Sequence, residues 1–177
     1  MENTEQENKT SFAGSAITYG ILTGVGLIVL TLLAYLFNIS ETNWLSLLGF
    51  AVLLAGIILG TLQYRNEGAG GFISYGRALG YGTLISVFTA FISSVFIYVF
   101  YLYVAPDAHQ LIKDAYYDNL IESNTELNDE QIDYLVNLFT SPLMLSIMNF
   151  LSFSFIGFIF SLVTSAFIKK NDPEEVF

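Results

Sequence analysis

The chain contains four long apolar runs, each about as long as a helix that crosses a lipid bilayer. They are residues 16–37, 44–64, 79–104 and 142–168, and none contains Asp, Glu, Lys, Arg or His. A hydrocarbon layer about 30 Å thick is spanned by about 20 residues of α-helix. Because lipid offers the backbone no hydrogen bonds, such runs form helices. The sequence therefore predicts an all-α fold, an integral membrane four-helix bundle covering residues 16–168.

The composition supports a membrane protein and excludes several classes of function. Hydrophobic residues make up 54% of the chain and charged residues 12%, whereas soluble domains carry about 25% charged residues. The absence of cysteine excludes disulfides, thiolate metal sites and a cysteine nucleophile. The net charge of −10 makes nucleic acid an unsuitable partner. We expect no cofactor.

The positions of lysine and arginine predict how the spans are oriented. Five of the six basic residues fall on one side of the membrane: Lys9, Arg65, Arg77, Lys169 and Lys170. Only Lys113 falls on the opposite side. Because basic loops remain in the cytoplasm, we predict an N-in/C-in protein with cytoplasmic tails at residues 1–15 and 169–177.

A repeated pattern marks the start of the first and third spans. Residues 17–26 are ITYGILTGVG and residues 73–82 are ISYGRALGYG. The second and fourth spans end alike, with two small residues four apart and then a basic residue, an asparagine and an acid, over residues 56–67 and 161–172. Our hypothesis is that the bundle consists of two duplicated helical hairpins in the same orientation. The alternative is chance similarity between glycine-rich helices.

Four pairs of small residues spaced four apart, one pair for each helix, are candidates for helix packing. Helices in lipid associate where small residues let their backbones approach closely. The predicted helix-packing residues are Gly20, Gly24, Gly56, Gly60, Gly76, Gly80, Ser161 and Ser165. We expect all of them to face the interior of the bundle.

The segment between the third and fourth spans, residues 105–141, is acidic and carries eight acids and one lysine. Two amphipathic helices are predicted within it, and the second begins with a capping box formed by Asn128 and Gln131. Ser141 and Pro142 have the residue types that cap and begin the fourth span. We predict that this outer segment lies on the membrane surface or folds over the bundle.

Few residues have the chemistry of an active site, and we predict no catalytic, cofactor-binding or metal-binding residue. The single histidine, His109, lies outside the spans and is expected to be solvated. Three residues are weak functional candidates: Tyr75 and Arg77 at the start of the third span, and Asn149 within the fourth. Anchoring at the inner surface explains Arg77 without a function, and hydrogen bonding between helices explains Asn149.

The order of features along the chain resembles a known family. The features are a glycine-rich first span, an I-S-Y-G-R-A entry to the third, a P-D turn after it, an acidic E-L-N-D-E-Q-I-D-Y helix, and F-T-S-P before a last span that closes on K-K. They are similar to the bacterial membrane proteins of domain-of-unknown-function family 4199, over about residues 14–170. The resemblance implies a four-span protein of the bacterial inner membrane and adds no catalytic residue.

Two classes of function are open to such a chain. The first expectation is a structural or interaction role, as an assembly or accessory component without catalytic activity. Its partners would be the lipid bilayer and either another membrane protein or a second copy of itself. The alternative is a small transporter or channel for a neutral or lipid-like solute, using Asn149 and span serines such as Ser146. An enzyme is not expected, because the spans place no nucleophile beside a base or metal set.

Overall fold

Helices make up most of the chain that the computed structural model describes, which is residues 11–37, 39, 43–123 and 127–170. Six α-helices lie in these ranges: α1 Phe12–Leu36, α2 Asn43–Gln63, α3 Tyr75–Val99, α4 Pro106–Glu122, α5 Asp129–Phe139 and α6 Pro142–Ile168. A π-helical turn extends α2 over Tyr64–Gly68, and another extends α3 over Phe100–Val104. The described part contains no β-strand, which confirms the predicted all-α fold class.

Four of the helices are long and apolar enough to cross a membrane. They are Phe12–Leu36, Trp44–Gly68, Tyr75–Val104 and Pro142–Ile168. The predicted bundle of four apolar helices is confirmed, and it indicates a membrane protein. The first and third helices begin at Phe12 and Tyr75 instead of residues 16 and 79, and the second continues past residue 64 to Gly68.

Two predictions about the whole bundle stay predictions. The orientation of the termini rests on the basic residues, and the duplication rests on the sequence pattern. Residues 1–10 and 171–177 of the two predicted tails lie outside the described residues. The same is true of Lys9 and of Asn171 and Asp172, which belong to the orientation and duplication arguments.

The two ends of the bundle differ in what they carry. At one end, which we call the base, the start of α1 meets the end of α2, the start of α3 and the end of α6. At the other end, the cap end, α4 and α5 connect α3 to α6. Helix α3 lies at the centre of the bundle, because α1, α2 and α6 all pack against it.

Two hydrophobic clusters hold the bundle together. The larger one fills its basal half and includes Leu53 and Ile57 of α2 with Tyr81 and Ile85 of α3. The smaller one lies at the cap end around Phe100, Tyr101 and Ala105, where side chains of α1 and α6 join it. Since α3 contributes to both clusters, it connects the base to the cap end.

A short loop at the base joins α2 to α3 and also reaches the end of α6. Gly70 and Gly71 have φ values of 66° and 89°, a left-handed conformation that favours glycine. Beyond them, the backbones of Ile73 and Lys170 exchange two hydrogen bonds of 2.9 Å. The ammonium group of Lys170 lies 5.0 Å from the centroid of the Phe72 ring. The loop is therefore fixed to the last residues of the fourth span.

The segment between α3 and α6 forms two helices that fold over the cap end, and we call α4 and α5 the cap. Asn128 and Gln131 form the predicted capping box of α5. Ser141 accepts a hydrogen bond from the backbone of Met144, as expected of the residue that caps α6. The Nε2 of His109 lies 2.7 Å from the carbonyl oxygen of Thr140. Our expectation of a solvated histidine was wrong, because His109 is half-buried and connects α4 to the end of α5.

Candidate functional site

The glycines of α1 and α2 lie where neighbouring side chains leave no room for a Cβ atom. A Cβ built on Gly20 would lie 2.5 Å from Cβ of Phe88 in α3, and one on Gly24 would lie 2.9 Å from Cβ of Ile92. One built on Gly60 would lie 2.6 Å from Cδ1 of Ile85. A Cβ on Gly56 would overlap the side chain of Thr23. These four glycines are where α1, α2 and α3 approach most closely.

The prediction for α3 is wrong, because its packing glycine is Gly82 and not the predicted pair. A Cβ on Gly76 would meet no described atom within 4 Å, and one on Gly80 would touch only the Phe12 ring, at 3.9 Å. A Cβ on Gly82 would lie 2.5 Å from Oγ of Ser161. Gly76 and Gly80 lie on the exposed side of the first turns of α3, whereas Ala78 and Tyr81 in the same turns are buried.

The contact between α3 and α6 is reciprocal. Gly82 in α3 faces Ser161 in α6, and a Cβ on Gly157 in α6 would overlap the side chain of Ser86 in α3. Ser161 and Ser165, both predicted to pack, are fully buried, and their hydroxyls have no hydrogen-bond partner among the described atoms. A small side chain at these positions lets α3 and α6 approach closely.

Asn149 forms a polar node between α3 and α6 near the cap end. Its Nδ2 donates hydrogen bonds of 2.9 Å to the hydroxyls of both Ser93 and Ser94. Ser93 in turn donates to the carbonyl oxygen of Ala90 at 3.2 Å. These bonds satisfy the amide inside the bundle, so the geometry assigns Asn149 a packing role.

Replacing Asn149 by leucine is expected to lower the free energy of unfolding by about 1 kcal/mol. Hydrogen bonds between membrane helices contribute about 0.6 kcal/mol each on average, and Asn149→Leu removes two of them. The measurement is SDS-induced unfolding in micelles, followed by the fluorescence of the single tryptophan, Trp44. Ser152→Ala, at an exposed position of the same helix, is the control and should change little. An unchanged or more stable Asn149→Leu variant would contradict the packing role.

A groove of about 360 Å³ lies between α3 and α6 beside this node. Phe91, Tyr98 and Ile147 line it together with Ser94 and Ser146. The serines are buried whereas the large apolar residues are exposed on the outer surface of the bundle. The groove is therefore mainly apolar, and its two serine hydroxyls are bonded to Asn149 and to the carbonyl oxygen of Leu143.

An aromatic cluster occupies the base. Tyr81 is fully buried, and its ring stacks on that of Tyr64 with centroids 4.6 Å apart. The ring of Phe12 meets both tyrosines edge-on, at 5.4 Å and 5.3 Å. Ser15 and Tyr81 share a hydrogen bond of 2.6 Å between their hydroxyls. The cluster thus joins α1, α3 and the π-helical turn that ends α2.

The two weak candidates at the start of α3 both contact this base. The hydroxyl of Tyr75 donates to the carbonyl oxygen of Leu162 in α6 at 3.4 Å. The guanidinium of Arg77 donates to the hydroxyl of Tyr64 at 3.1 Å. Asn149 lies far along α6 from both residues, so the structure does not bring the three candidates together.

A cavity of about 210 Å³ opens at the base between α1 and the end of α2. Helix α1 contributes Ser15, Thr18 and Tyr19, and the end of α2 contributes Gln63, Tyr64 and Glu67. The π-helical turn brings Tyr64 and Glu67 to this cavity, and π-helical turns are common at functional sites. A Cβ on Gly68 would lie 2.7 Å from the Tyr64 ring, so the turn requires a small residue there.

The sequence did not reveal this cavity, because each of its residues looks ordinary alone. Tyr19 and Tyr64 have the positions of interfacial aromatic residues, and Glu67 follows a basic residue at a span end. The change from α-helical to π-helical geometry brings them together, and no spacing in the sequence indicates that change.

Comparison with known proteins gives one match. The family described as "Protein of unknown function (DUF4199)" matches residues 18–170. No curated protein matches the chain significantly, and no solved structure does. The matched stretch runs from within α1 to just beyond the end of α6, so it includes most of the first candidate span and all of the other three. The chain belongs to the DUF4199 family.

Proposed function

We propose that the protein is an accessory or assembly component of the bacterial inner membrane without catalytic activity, and that the cap contacts its partner. The base would face the cytoplasm, because Arg65, Arg77 and Lys170 lie there and Lys113 lies in the cap. Apart from tyrosines, the ionisable side chains of the four candidate spans are Arg65, Glu67 and Arg77. All three lie at the base, and none lies in the middle of a span. Another membrane protein is the proposed partner, or a second copy of the chain.

The observation that carries this proposal is that the cap is folded yet keeps large apolar side chains exposed. His109 connects α4 to the end of α5, and the ring of Tyr116 packs near that of Phe139 at 6.2 Å. Leu111 and Ile121 of α4 are nevertheless 69% and 52% exposed, and Tyr134 of α5 is 68% exposed. Exposed apolar residues surrounded by acidic ones are typical of protein contact sites.

The experiment is gentle extraction of the tagged full-length protein from its own membrane, followed by native mass and composition. We expect a second protein, or a second copy, at fixed stoichiometry. The variant Leu111→Asn/Ile121→Asn should lose that partner, because its apolar contact surface is removed. Ala115→Ser is the matched control, since it adds a polar atom to the same exposed side of α4 without removing a large apolar group.

Two results would count against the proposal. One is recovery of the wild-type protein alone or only with lipid. The other is retention of the partner by the double variant at the same stoichiometry. If Ala115→Ser also lost the partner, any change in α4 would disrupt binding. The loss in the double variant could then not be assigned to Leu111 and Ile121.

A second candidate function is the passage of a neutral or lipid-like solute, and the groove beside Asn149 favours it. The walls of the groove are apolar, and the serines Ser94 and Ser146 also line it. This combination suits a long apolar molecule with one polar group. Reconstituted vesicles containing a fluorescent lipid test it: transfer between leaflets faster than in protein-free vesicles supports the second candidate, and equal rates reject it.

A further inference from the structure

The base cavity contains polar groups that have no partner in the described part of the chain. The carboxylate of Glu67 forms no ion pair or hydrogen bond with any described residue, and the same holds for the side chains of Gln63 and Tyr19. In contrast, Ser15 and Tyr64 of the same cavity bind Tyr81 and Arg77. One negative charge, one amide and one phenol therefore line this space without a protein partner.

This set of groups suits a primary ammonium ion. A carboxylate attracts a cation, and that of Glu67 is exposed at the mouth of the cavity, where a ligand can reach it. The ring of Tyr19, which lines the same cavity, also attracts cations. A primary ammonium has three N–H donors, and the oxygens of Glu67, Gln63 and Tyr19 are three acceptors for them.

A positive group is bonded to the hydroxyl of Tyr64, a residue that lines the same cavity. The guanidinium of Arg77 uses one donor on the Tyr64 hydroxyl and has no acidic partner among the described residues. Glu67 lines this cavity together with Tyr64, yet Arg77 and Glu67 form no ion pair with each other. A ligand that carries both a positive and a negative group would pair with each of them.

The surface next to the cavity is apolar and faces away from the bundle. Leu22 lies one turn from Thr18 on α1 and is 60% exposed, and Leu59 lies one turn from Gln63 on α2 and is 61% exposed. Such surfaces of membrane helices contact the acyl chains of lipids. A cavity at the ends of two candidate spans, next to such a surface, is where the headgroup of a bound lipid would lie.

We propose that the base cavity binds the headgroup of phosphatidylethanolamine. The ammonium group lies in the cavity beside Glu67, Gln63 and Tyr19, the phosphate lies beside Arg77, and the acyl chains follow the apolar surface of α1 and α2. Phosphatidylglycerol has no ammonium group for Glu67, and the trimethylammonium of phosphatidylcholine has no N–H to donate. This site lies at the opposite end of the bundle from the cap, so it is independent of the proposed partner contact.

Native mass spectrometry of the full-length protein in detergent tests the proposal. Titration with dioleoyl phosphatidylethanolamine, phosphatidylglycerol and phosphatidylcholine gives an apparent Kd for the first bound lipid. We expect phosphatidylethanolamine to bind about tenfold more tightly than the other two, the effect of one charge-assisted contact. Glu67→Gln should remove that preference. Arg77→Gln should weaken phosphatidylethanolamine and phosphatidylglycerol alike, since both carry the phosphate.

Two control variants remove a charge outside the cavity. Glu122→Gln removes an acid from the cap, and Lys169→Gln removes a base from the end of α6, so both should bind lipid as the wild type does. Unchanged Trp44 fluorescence and thermal midpoint show that each variant is folded. Equal affinity for the three lipids, or a preference that survives Glu67→Gln, would overturn the proposal. Displacement by soluble phosphoethanolamine at the lipid's own concentration would overturn the assignment to a lipid.

Discussion

Gly157→Ala is expected to lower the free energy of unfolding by about 1–3 kcal/mol, the usual cost of overpacking a tight contact. Alanine is the better helix former by about 1 kcal/mol, so the loss must come from packing. The new Cβ falls on the side chain of Ser86 and lies 3.5 Å from the Ser86 Cα atom. A contact so near the backbone is relieved only if α3 and α6 move apart. That movement also opens the reciprocal contact between Gly82 and Ser161.

The same substitution at Gly76 is the control, because a Cβ there meets no described atom within 4 Å. Gly76→Ala should leave the stability unchanged or raise it slightly through helix propensity. Both variants are measured by SDS-induced unfolding in micelles, with Trp44 fluorescence and far-UV circular dichroism. If Gly157→Ala were as stable as Gly76→Ala, the close contact between α3 and α6 would not contribute to the fold.

The sequence predicted the spans and the cap from properties that act locally. An apolar run long enough to cross a bilayer forms a helix wherever its neighbours lie, and Asn128 and Gln131 cap α5 through their own backbone. The helix partners could not be predicted in the same way. The pairs Gly82 with Ser86 and Gly157 with Ser161 have the same spacing as the predicted Gly76 with Gly80, and only the fold shows which pair faces another helix.

The base was beyond prediction for a different reason. Its cavity depends on the π-helical turn at Tyr64–Gly68, which changes the direction of every side chain in it. An α-helical continuation of α2 would place Glu67 on another side of the helix, because each residue of an α-helix turns by about 100°. Arg77 was therefore a candidate from the sequence, but nothing in the sequence connected it with Tyr64 or with Glu67.

Within the described part of the chain, the charged side chains stand at the two ends of the bundle, and this division suggests two separate tasks. The acids of the cap stand at one end of the bundle, and Glu67 and Arg77, which form no ion pair with a described residue, stand at the other. Between these ends, Asn149 is the one described residue of a span whose side-chain amide forms hydrogen bonds to another helix. A partner held by the cap and a lipid held by the base would therefore act on the protein through the packing of α3, which reaches both clusters.

Tyr81→Ala should have the largest effect of any single substitution at the base, a loss of about 3–5 kcal/mol, as for other large aromatic residues in cores. Tyr81 is 0% exposed, stacks on Tyr64 and shares a hydrogen bond with Ser15. Its removal leaves a cavity between α1, α2 and α3 and a buried hydroxyl without its partner. SDS-induced unfolding measures the loss, and Tyr98→Ala, at an exposed position of the same helix, should cost less than 1 kcal/mol, as surface substitutions do.

The positions at which amide hydrogen exchange becomes faster in Tyr81→Ala distinguish a local loss of packing at the base from a weaker bundle as a whole. Because the base and the cap end have separate hydrophobic clusters, Tyr81→Ala should speed amide hydrogen exchange in the loop at residues 69–74. Exchange in α5 should be unchanged under native conditions, since local opening of one cluster does not require opening of the other. Tyr81→Phe keeps the ring and loses only the hydroxyl, so it should show about 1 kcal/mol of the loss and little of the faster exchange. Faster exchange at both ends in Tyr81→Ala would mean instead that the two clusters unfold together through α3.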